Sequence, residues 1–456
     1  MLGKTQLVKE FGFGFNSSKE SLNTALTDSK TLTQRTINGA TDGKTKVLIG
    51  NTELKKGRTM KNSLLDTDFY TFSQQQFILH NHPAAWVRYE FKWRNWRDMK
   101  LRIPLKDFAG RVKDRVDEYC KLRFIQEELA YMAQIPFLKR DYLEYLRMFQ
   151  PNRAYVRVRV EGDTLCITIE GPWVSVVIFE VPVLAIVSQL YTENCDKVKL
   201  DWLLEGRKRL VDKLSMLKAS LPKDNTFKFA DFGTRRRADF DWHDEVIATI
   251  LGAVPENFIG TSNVYFAMKY DIKYIGTMSH QILQSYQQLG PRLIDSQSKC
   301  LDDWAREYRG ELGIALSDCL GFKAFLKDFD RYLALLFDGC RHDSGDPNWW
   351  VENLIKHYKK MRIDPMTKSA VFSDGLNFET ALDLYRRYHT QINTSFGIGT
   401  NLTNDVGFLA PQIVIKLVEV NGKPVAKISD SPGKGMCEDP EFLEYLTKVV
   451  REKVEG

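Results

Sequence analysis

The chain has 456 residues, enough for two or three domains with buried cores, so a small disulfide-stapled protein is excluded. Hydrophobic residues make up 43% and charged residues 27%, and the most apolar stretch, 174–191, contains Glu180 and Pro182, so we predict no association with a membrane. The formal net charge is +6, but residues 1–59 hold ten Lys/Arg against five Asp/Glu. The rest of the chain is nearly neutral, which argues against nucleic acid as a partner.

Residues 1–59 are rich in Ser, Thr, Gly and Lys and show no sustained apolar period, so we predict a flexible N-terminal extension. The seven cysteines include no CxxC pair and no histidine at zinc spacing, so no zinc site or disulfide framework is predicted. Reduced cysteines favour a cytoplasmic location.

Residues 60–226 carry the pattern of an α+β domain. A capped helix is predicted over 66–80, and amphipathic helical segments are predicted over 101–146, broken at prolines. Three β-rich runs separated by Gly-containing turns predict strands at 154–160, 165–170 and 174–179. A helix over 201–220 is expected to end this domain.

Residues 227–411 repeat one unit, in which a short apolar run ends in a polar or Gly-rich tail and is followed by a segment with helical period. The seven tails are 231–237, 260–263, 276–280, 316–318, 341–346, 372–375 and 396–400. This pattern predicts an irregular β/α barrel, in which all strand carboxyl ends open onto one face and bring the tails together. A doubly wound open sheet is the alternative. The fold class is therefore α/β, with the barrel joined to an α+β domain.

The final segment, 412–456, predicts a hairpin with strands at 413–420 and 424–428. Asn421 and Gly422 form the pair that a type I′ turn prefers. We expect this hairpin and the terminal helix to pack on the N-terminal domain.

Several tails suit anion binding. Gly399 and Thr400 in one tail, and Gly375 in another, offer backbone N–H groups and hydroxyls to phosphate oxygens, although one such motif alone is more often a tight turn. Arg235 adds a side chain that pairs with phosphate in a bidentate manner.

The tail at 341–346 places one cation and two carboxylates within six residues. Asp343 and Asp346 are candidates for Mg²⁺ or ribose hydroxyls, and Arg341 is a candidate for a substrate carboxylate, while an ion pair in a surface turn remains the alternative. His280 opens a helix directly after a tail, where a neutral imidazole acts as a base or a nucleophile unless it is only a capping residue. Tyr70 follows two aspartates at a helix start and by itself fits a core position.

Taken in order, these motifs resemble the nicotinate phosphoribosyltransferase family. The motifs that carry the resemblance are SLLDTDFY (63–70), DFGTRRR (231–237), GTSN (260–263), GTMSH (276–280), RHDSGDP (341–347), FSDGL (372–376), FGIGTNLTND (396–405) and VIKLVEVNGKPVAKISDSPGK (414–434).

The resemblance implies transfer of the phosphoribosyl group from 5-phosphoribosyl-1-pyrophosphate to nicotinate, coupled to ATP hydrolysis through a phosphohistidine, with Mg²⁺ as cofactor, in a homodimer whose active site lies at the interface. The phosphorylated residue would be His280. Nicotinate contacts would fall on Tyr70, Thr277 and Arg341, with Phe232 as a stacking wall. Contacts to 5-phosphoribosyl-1-pyrophosphate would fall on Arg235, Asp374, Gly375, Gly399 and Thr400, and Asp343 and Asp346 would serve the ribose or Mg²⁺; no single metal ligand is assigned.

Two positions depart from the family pattern, because Gln281 and Ile282 follow His280 where glutamate and tryptophan are usual. If residue 281 orients the imidazole, a neutral amide holds it less strongly, which would weaken ATP coupling. The alternatives are a phosphoribosyltransferase that uses nicotinamide or quinolinate, and a non-catalytic metabolite-binding relative.

Overall fold

The computed structural model describes residues 63–222, 226–431 and 437–456. The extension predicted over 1–59 lies outside the described residues. The described chain contains one antiparallel and one parallel sheet, which together match the predicted α/β class.

The N-terminal segment alternates helices with three strands of the antiparallel sheet. Its strands are β1 (Trp86–Trp93), β2 (Val156–Glu161) and β3 (Thr164–Pro172). Its helices are α1 (Tyr70–Asn81), α2 (Leu105–Tyr119), α3 (Gln126–Met132), α4 (Arg140–Met148), α5 (Trp173–Val176), α6 (Glu180–Asn194) and α7 (Lys199–Ser220).

The prediction of a third strand at 174–179 in this segment is wrong. These residues form α5 and a 3₁₀ turn that lead directly into α6. The stretch is buried on nearly all sides, so its apolar residues show no period that separates a strand from a helix. Residues 173–194 are long and apolar enough to cross a membrane, but 89% of the most apolar window is buried inside the structure, which identifies a core helix.

The parallel sheet runs through residues 227–411. Its strands are β4 (Phe229–Asp231), β5 (Phe258–Thr261), β6 (Ile314–Leu316), β7 (Gly339–His342), β8 (Ser369–Phe372) and β9 (Asn393–Ile398). The helices that follow these strands are α8 (Phe240–Ala253), α9 (Val264–Tyr270), α10 (His280–Leu289), α11 (Ser296–Tyr308), α12 (Phe322–Asp328), α13 (Arg331–Leu336), α14 (Pro347–Lys360), α15 (Phe378–Tyr388) and α16 (Thr400–Thr403).

The order of the six strands is β5-β4-β9-β8-β7-β6. The seventh predicted unit has no full strand, but Tyr274 forms a parallel bridge with Thr261 beside β5. A little further on, the Thr277 hydroxyl donates to the carbonyl of Ile314 in β6 at 3.1 Å. The sheet is thus nearly closed by an irregular segment, which confirms the irregular barrel over the open sheet.

The C-terminal hairpin completes the antiparallel sheet. Strand β10 (Ile413–Val420) lies between β1 and β11 (Lys423–Pro424), so the sheet order is β11-β10-β1-β3-β2. Asn421 and Gly422 have φ values of 51° and 74°, as the predicted type I′ turn requires.

The last helix, α17 (Pro440–Glu455), lies elsewhere than predicted. Leu446 of α17 is buried with Leu320 and Ala324, which belong to the parallel-sheet half, and not with the N-terminal segment. Only one stripe of this helix is apolar, and that stripe meets α12.

Candidate active site

A cavity of about 550 Å³ lies at the carboxyl ends of the parallel strands. The tails after the strands form its floor, the N-terminal segment contributes Tyr70, Tyr89 and Glu180, and the C-terminal hairpin contributes Lys416 and Lys427. The site is therefore built from all three parts of the described chain. The convergence of the tails is what a barrel predicts.

Most of the predicted site residues line this cavity. They are Tyr70, Phe232, Arg235, His280, Arg341, Asp343, Asp374, Gly375, Gly399 and Thr400. Tyr70 reaches the cavity of its own chain.

Two predicted site residues do not line it. The Thr277 hydroxyl donates to the Ile314 carbonyl, where it helps to close the barrel. Asp346 is exposed and caps α14, because its carboxylate accepts the N–H of Asn348 at 2.9 Å. Both residues lie close to the site in sequence, but their side chains satisfy backbone groups instead of facing a substrate.

The imidazole of His280 is buried at the first turn of α10, where its Nε2 meets two opposite charges. Asp318 Oδ1 lies 2.8 Å from Nε2, and Lys427 Nζ lies 2.7 Å from the same atom. A neutral ring that donates from Nε2 to Asp318 keeps a free lone pair on Nδ1. A ring that accepts at Nε2 from Lys427 carries its proton on Nδ1, and its one lone pair is already engaged.

Burial and the adjacent Lys427 ammonium lower the pKa of His280 to about 4. Burial alone would raise the pKa of Asp318, but His280 and Lys427 outweigh it, and the pKa lies well below its usual value. The arrangement at neutral pH is therefore a neutral imidazole whose Nε2 contacts both a carboxylate and an ammonium group. Such a ring is a competent nucleophile.

Gln281 does not orient His280. Its amide oxygen accepts from the Tyr89 hydroxyl and from Trp173 Nε1, and its amide nitrogen donates to Glu180 at 3.2 Å. The expectation that a neutral residue 281 weakens the hold on the imidazole is therefore wrong, because Asp318 performs that task.

Aromatic side chains form one wall of the cavity. The Arg235 guanidinium lies 6.0 Å from the centre of the Tyr70 ring, and it lies near Asp68 and Glu180 at 3.8 and 3.7 Å. The Phe232 ring fits because residue 397 is glycine, since a Cβ there would lie 2.3 Å from the ring. The cavity therefore offers a planar substrate aromatic rings for stacking, with a cation beside them.

Arg341 offers an unsatisfied donor. Its Nε is buried and has no hydrogen-bond partner within the described residues, although its side chain lines the cavity. An orphaned guanidinium N–H is costly unless a ligand completes it. A planar carboxylate matches the guanidinium fork.

Several cavity residues were not predicted from the sequence as site residues. They are Asp68, Arg94, Glu180, Arg236, Lys416 and Lys427. Asp318, which contacts His280 without lining the cavity, was not predicted either. Asp318 follows β6 in a tail that the sequence did reveal. Lys416 could be found only through strand alternation, because residues 414 and 416 share one face of β10 and both line the cavity. Lys427 follows β11, so alternation along β10 does not reveal it.

Lys416 and Arg236 add positive charge to the cavity. Burial and the nearby Lys427 lower the pKa of Lys416 to about 8. Burial and the adjacent Arg235 lower the pKa of Arg236 to about 10. This concentration of cations in a shielded site favours a ligand with several negative charges.

The carboxylates that face the cavity are compatible with a divalent cation. Asp343 Oδ2 lies 3.6 Å from His280 Nε2, and Asp343 Oδ1 accepts from the Ser373 hydroxyl. His280, Asp318 and Asp343 lie close enough together to share an ion, but Lys427 already occupies the space beside the first two. Asp343, together with Asp374 on the same wall, therefore fits Mg²⁺ better, because Mg²⁺ prefers oxygen ligands.

The fold and the cavity are those of a barrel enzyme whose site favours a ligand with several negative charges, and comparison with known proteins identifies the family. Residues 65–188 match the family model of the nicotinate phosphoribosyltransferase N-terminal domain, and residues 227–453 match that of the nicotinate phosphoribosyltransferase family. The chain belongs to the nicotinate phosphoribosyltransferase family.

Individual relatives agree over nearly their whole length. The chain is 47% identical over 391 residues to a nicotinate phosphoribosyltransferase of Xanthomonas euvesicatoria, covering 85% of this chain and 97% of the relative. It is 48% identical over 390 residues to one of Burkholderia mallei, covering 85% and 96%.

Solved structures give the same result. The crystal structure of nicotinate phosphoribosyltransferase from Vibrio cholerae matches with a TM-score of 0.80 and 36% identity, covering 87% of this chain and 94% of that one. The enzyme from Porphyromonas gingivalis matches with a TM-score of 0.78 and 28% identity, covering 85% and 99%.

Proposed function

We propose that this protein transfers the 5-phosphoribosyl group from 5-phosphoribosyl-1-pyrophosphate to nicotinate, forming nicotinate mononucleotide and pyrophosphate for NAD biosynthesis. The observation that carries this proposal is the buried Nε of Arg341, which has no partner in the described part of the chain and belongs to a cavity walled by Phe232 and Tyr70. A pyridine ring with one carboxylate satisfies both features, whereas an amide forfeits the charge-assisted pair with Arg341.

In the transfer step, the bond between ribose C1 and the pyrophosphate oxygen breaks, and the pyridine nitrogen forms the new bond to C1. Loss of pyrophosphate builds positive charge on the ribose, which the carboxylates of Asp343 and Asp374 are placed to stabilise. Arg235, Arg236 and Lys416 balance the charge on the departing pyrophosphate. Bound Mg²⁺, held by the cavity carboxylates, would supply further neutralisation of the phosphate oxygens.

ATP is coupled to the transfer through phosphorylation of His280. The imidazole nitrogen that lacks a proton attacks the γ-phosphorus of ATP, the bond to the β-phosphate oxygen breaks, and ADP leaves. Lys427 then lies beside the phosphorylated ring and offsets its charge. Water later cleaves the phosphorus–nitrogen bond and returns the imidazole.

A competition assay tests the choice of substrate. The protein is incubated with Mg²⁺, limiting 5-phosphoribosyl-1-pyrophosphate and equimolar nicotinate, nicotinamide and quinolinate, and the products are separated by chromatography. We expect nicotinate mononucleotide as the dominant product, with consumption of nicotinate and not of quinolinate, because quinolinate gives the same nucleotide with loss of carbon dioxide. Dominant nicotinamide mononucleotide, or product and carbon dioxide from quinolinate, would assign the other transferase activities, and no product would favour a non-catalytic binding protein.

A further inference from the structure

The chain that follows β11 returns to the barrel as residues 426–431, which we call the latch segment. The Ile428 N–H donates to the Cys319 carbonyl at 3.0 Å, and the Phe322 N–H donates to both carboxylate oxygens of Asp430 at 3.0 and 2.9 Å. The Gly345 N–H donates to Ser431 Oγ at 2.9 Å. The latch segment is thus fastened to the loops that follow β6 and β7.

The hydroxyl of Ser344 connects this segment with the interior of the site. The side chain is buried, and its Oγ donates to Asp318 Oδ2 at 2.6 Å. The same oxygen accepts from the Ser429 hydroxyl at 3.0 Å and from the Asp430 N–H at 3.2 Å. One donor and two acceptor positions are all that a hydroxyl has, so Ser344 is fully used.

Ser344 binds Asp318 and the latch segment, and both of these support the imidazole of His280. Asp318 contacts His280 Nε2 through its other carboxylate oxygen, and Lys427, which lies in the latch segment, contacts the same nitrogen. Lys427 also pairs with Asp318 Oδ2 at 2.7 Å, so the oxygen that Ser344 binds is shared with that lysine. Ser344 itself has no hydrogen bond to His280.

We propose that Ser344 is a positioning residue for phosphorylation of His280: a single hydroxyl holds Asp318 in place and fastens the latch segment that carries Lys427. This inference rests on the proposed function, because the phosphorylated imidazole belongs to that function. Tight packing at this point agrees with it, since a Cβ on Gly345 would lie 3.1 Å from Asp430 Cβ.

The kinetic test uses the full chain with Ser344→Ala. We expect the rate constant for formation of acid-labile phosphohistidine from ATP to fall by about tenfold or more, the loss expected when a hydrogen bond to a charged group is removed. The KM for ATP and the ATP-independent formation of nicotinate mononucleotide should stay within about twofold, because Ser344 lies behind the reacting groups.

The matched control is Ser285→Ala. Ser285 is equally buried and lies on the same helix as His280, but its hydroxyl donates only to the Ile282 carbonyl of its own helix. We expect phosphohistidine to form in Ser285→Ala at the wild-type rate. Equal rates for Ser344→Ala, Ser285→Ala and the wild type would overturn the proposal.

A second measurement tests the latch without ATP. Hydrogen–deuterium exchange followed by mass spectrometry should show faster exchange in peptides covering 426–431 for Ser344→Ala, with no change for Ser285→Ala. Unchanged exchange in that segment would overturn the proposal even if the phosphorylation rate fell. If wild-type protein forms no phosphohistidine, the ATP part of the proposed function fails and so does the role of Ser344 in it.

Discussion

At the scale of single residues, the site depends on charged groups that are held away from water. His280 stays neutral because burial and Lys427 both oppose its protonation, and Asp318 stays charged because it is surrounded by donors. The sequence placed His280 at the end of a polar tail, which was enough to predict its location although no full strand of the described chain directly precedes that tail. It did not reveal Lys427, because only the return of the hairpin brings that side chain to the ring.

Replacing His280 with alanine removes the nucleophile but leaves the rest of the cavity. We expect His280→Ala to abolish stimulation by ATP and to retain part of the ATP-independent transfer of phosphoribosyl to nicotinate. Initial rates with and without ATP measure both. The control is His389→Ala, because His389 directly follows α15 and does not line the cavity. Equal stimulation of the two variants by ATP would contradict a role for His280.

Replacing Arg341 with lysine keeps the charge and removes the planar fork. A lost charge-assisted hydrogen bond is worth about 1.5–3 kcal/mol, so we expect the KM for nicotinate to rise by about tenfold to a hundredfold. The KM for nicotinamide should change much less. Equal changes for the two substrates, measured by steady-state kinetics, would show that Arg341 does not bind the carboxylate.

The lowered pKa of Lys416 predicts a pH dependence. The ammonium form is present below pH 8 and is lost as the pH rises through about 8, so kcat/KM for 5-phosphoribosyl-1-pyrophosphate should decline above that pH. Lys416→Arg should move the decline to higher pH, because a guanidinium keeps its proton. The exposed Lys423 of the same hairpin supplies the control Lys423→Gln, and an unchanged profile in Lys416→Arg would assign the decline to another group.

At the scale of secondary-structure elements, hydrophobic period and turn chemistry were sufficient for most of the fold. Every strand of the barrel ends in one of the predicted polar tails, and the hairpin around Asn421 has the predicted turn. The period failed at 174–179, where burial on nearly all sides hides the difference between strand and helix. The hydrophobic period also did not show which surface α17 covers, because an apolar stripe on a helix does not indicate the element against which it packs.

A buried ion pair joins the N-terminal segment to the loop after β4. The Arg237 guanidinium donates to both carboxylate oxygens of Asp66 at 2.7 and 2.6 Å, and both side chains are fully buried. Arg237→Ala leaves an unpaired carboxylate in the core, so we expect the free energy of unfolding to fall by about 3–5 kcal/mol.

Urea unfolding measures this loss, with Arg157→Ala as the comparison. Arg157 pairs with Glu170 on the surface, and such a pair contributes only about 0–1 kcal/mol. Equal losses for the two variants would show that the buried pair is not important for joining the two elements.

At the scale of the whole molecule, strands from the two ends of the described chain pair in one sheet. Strand β10 comes late in the sequence and pairs with β1 near the described start, so the antiparallel sheet forms only when both ends of the described chain meet. The same hairpin delivers Lys416 and Lys427 to the barrel. The sequence showed that such a hairpin exists, but its place beside β1 is set by long-range packing. The predicted homodimer and the cytoplasmic location stay predictions.

The matches to the family models begin at residue 65, so the activity should not require residues 1–59. We expect a chain that starts at Met60 to form nicotinate mononucleotide at a rate within about twofold of the full chain, because every cavity residue remains. Steady-state kinetics on both chains measures this. Loss of activity, with unchanged thermal unfolding, would assign those residues a part in the reaction.

The central claim is that one cavity performs phosphoribosyl transfer to nicotinate and couples it to ATP through His280. The most direct test follows nicotinate mononucleotide and ADP together in one time course, with Mg²⁺, nicotinate and 5-phosphoribosyl-1-pyrophosphate, with and without ATP. We predict product in both cases, faster formation with ATP, and ADP release that accompanies product. Product formation indifferent to ATP would contradict the coupling, and the absence of product in both cases would contradict the transferase assignment itself.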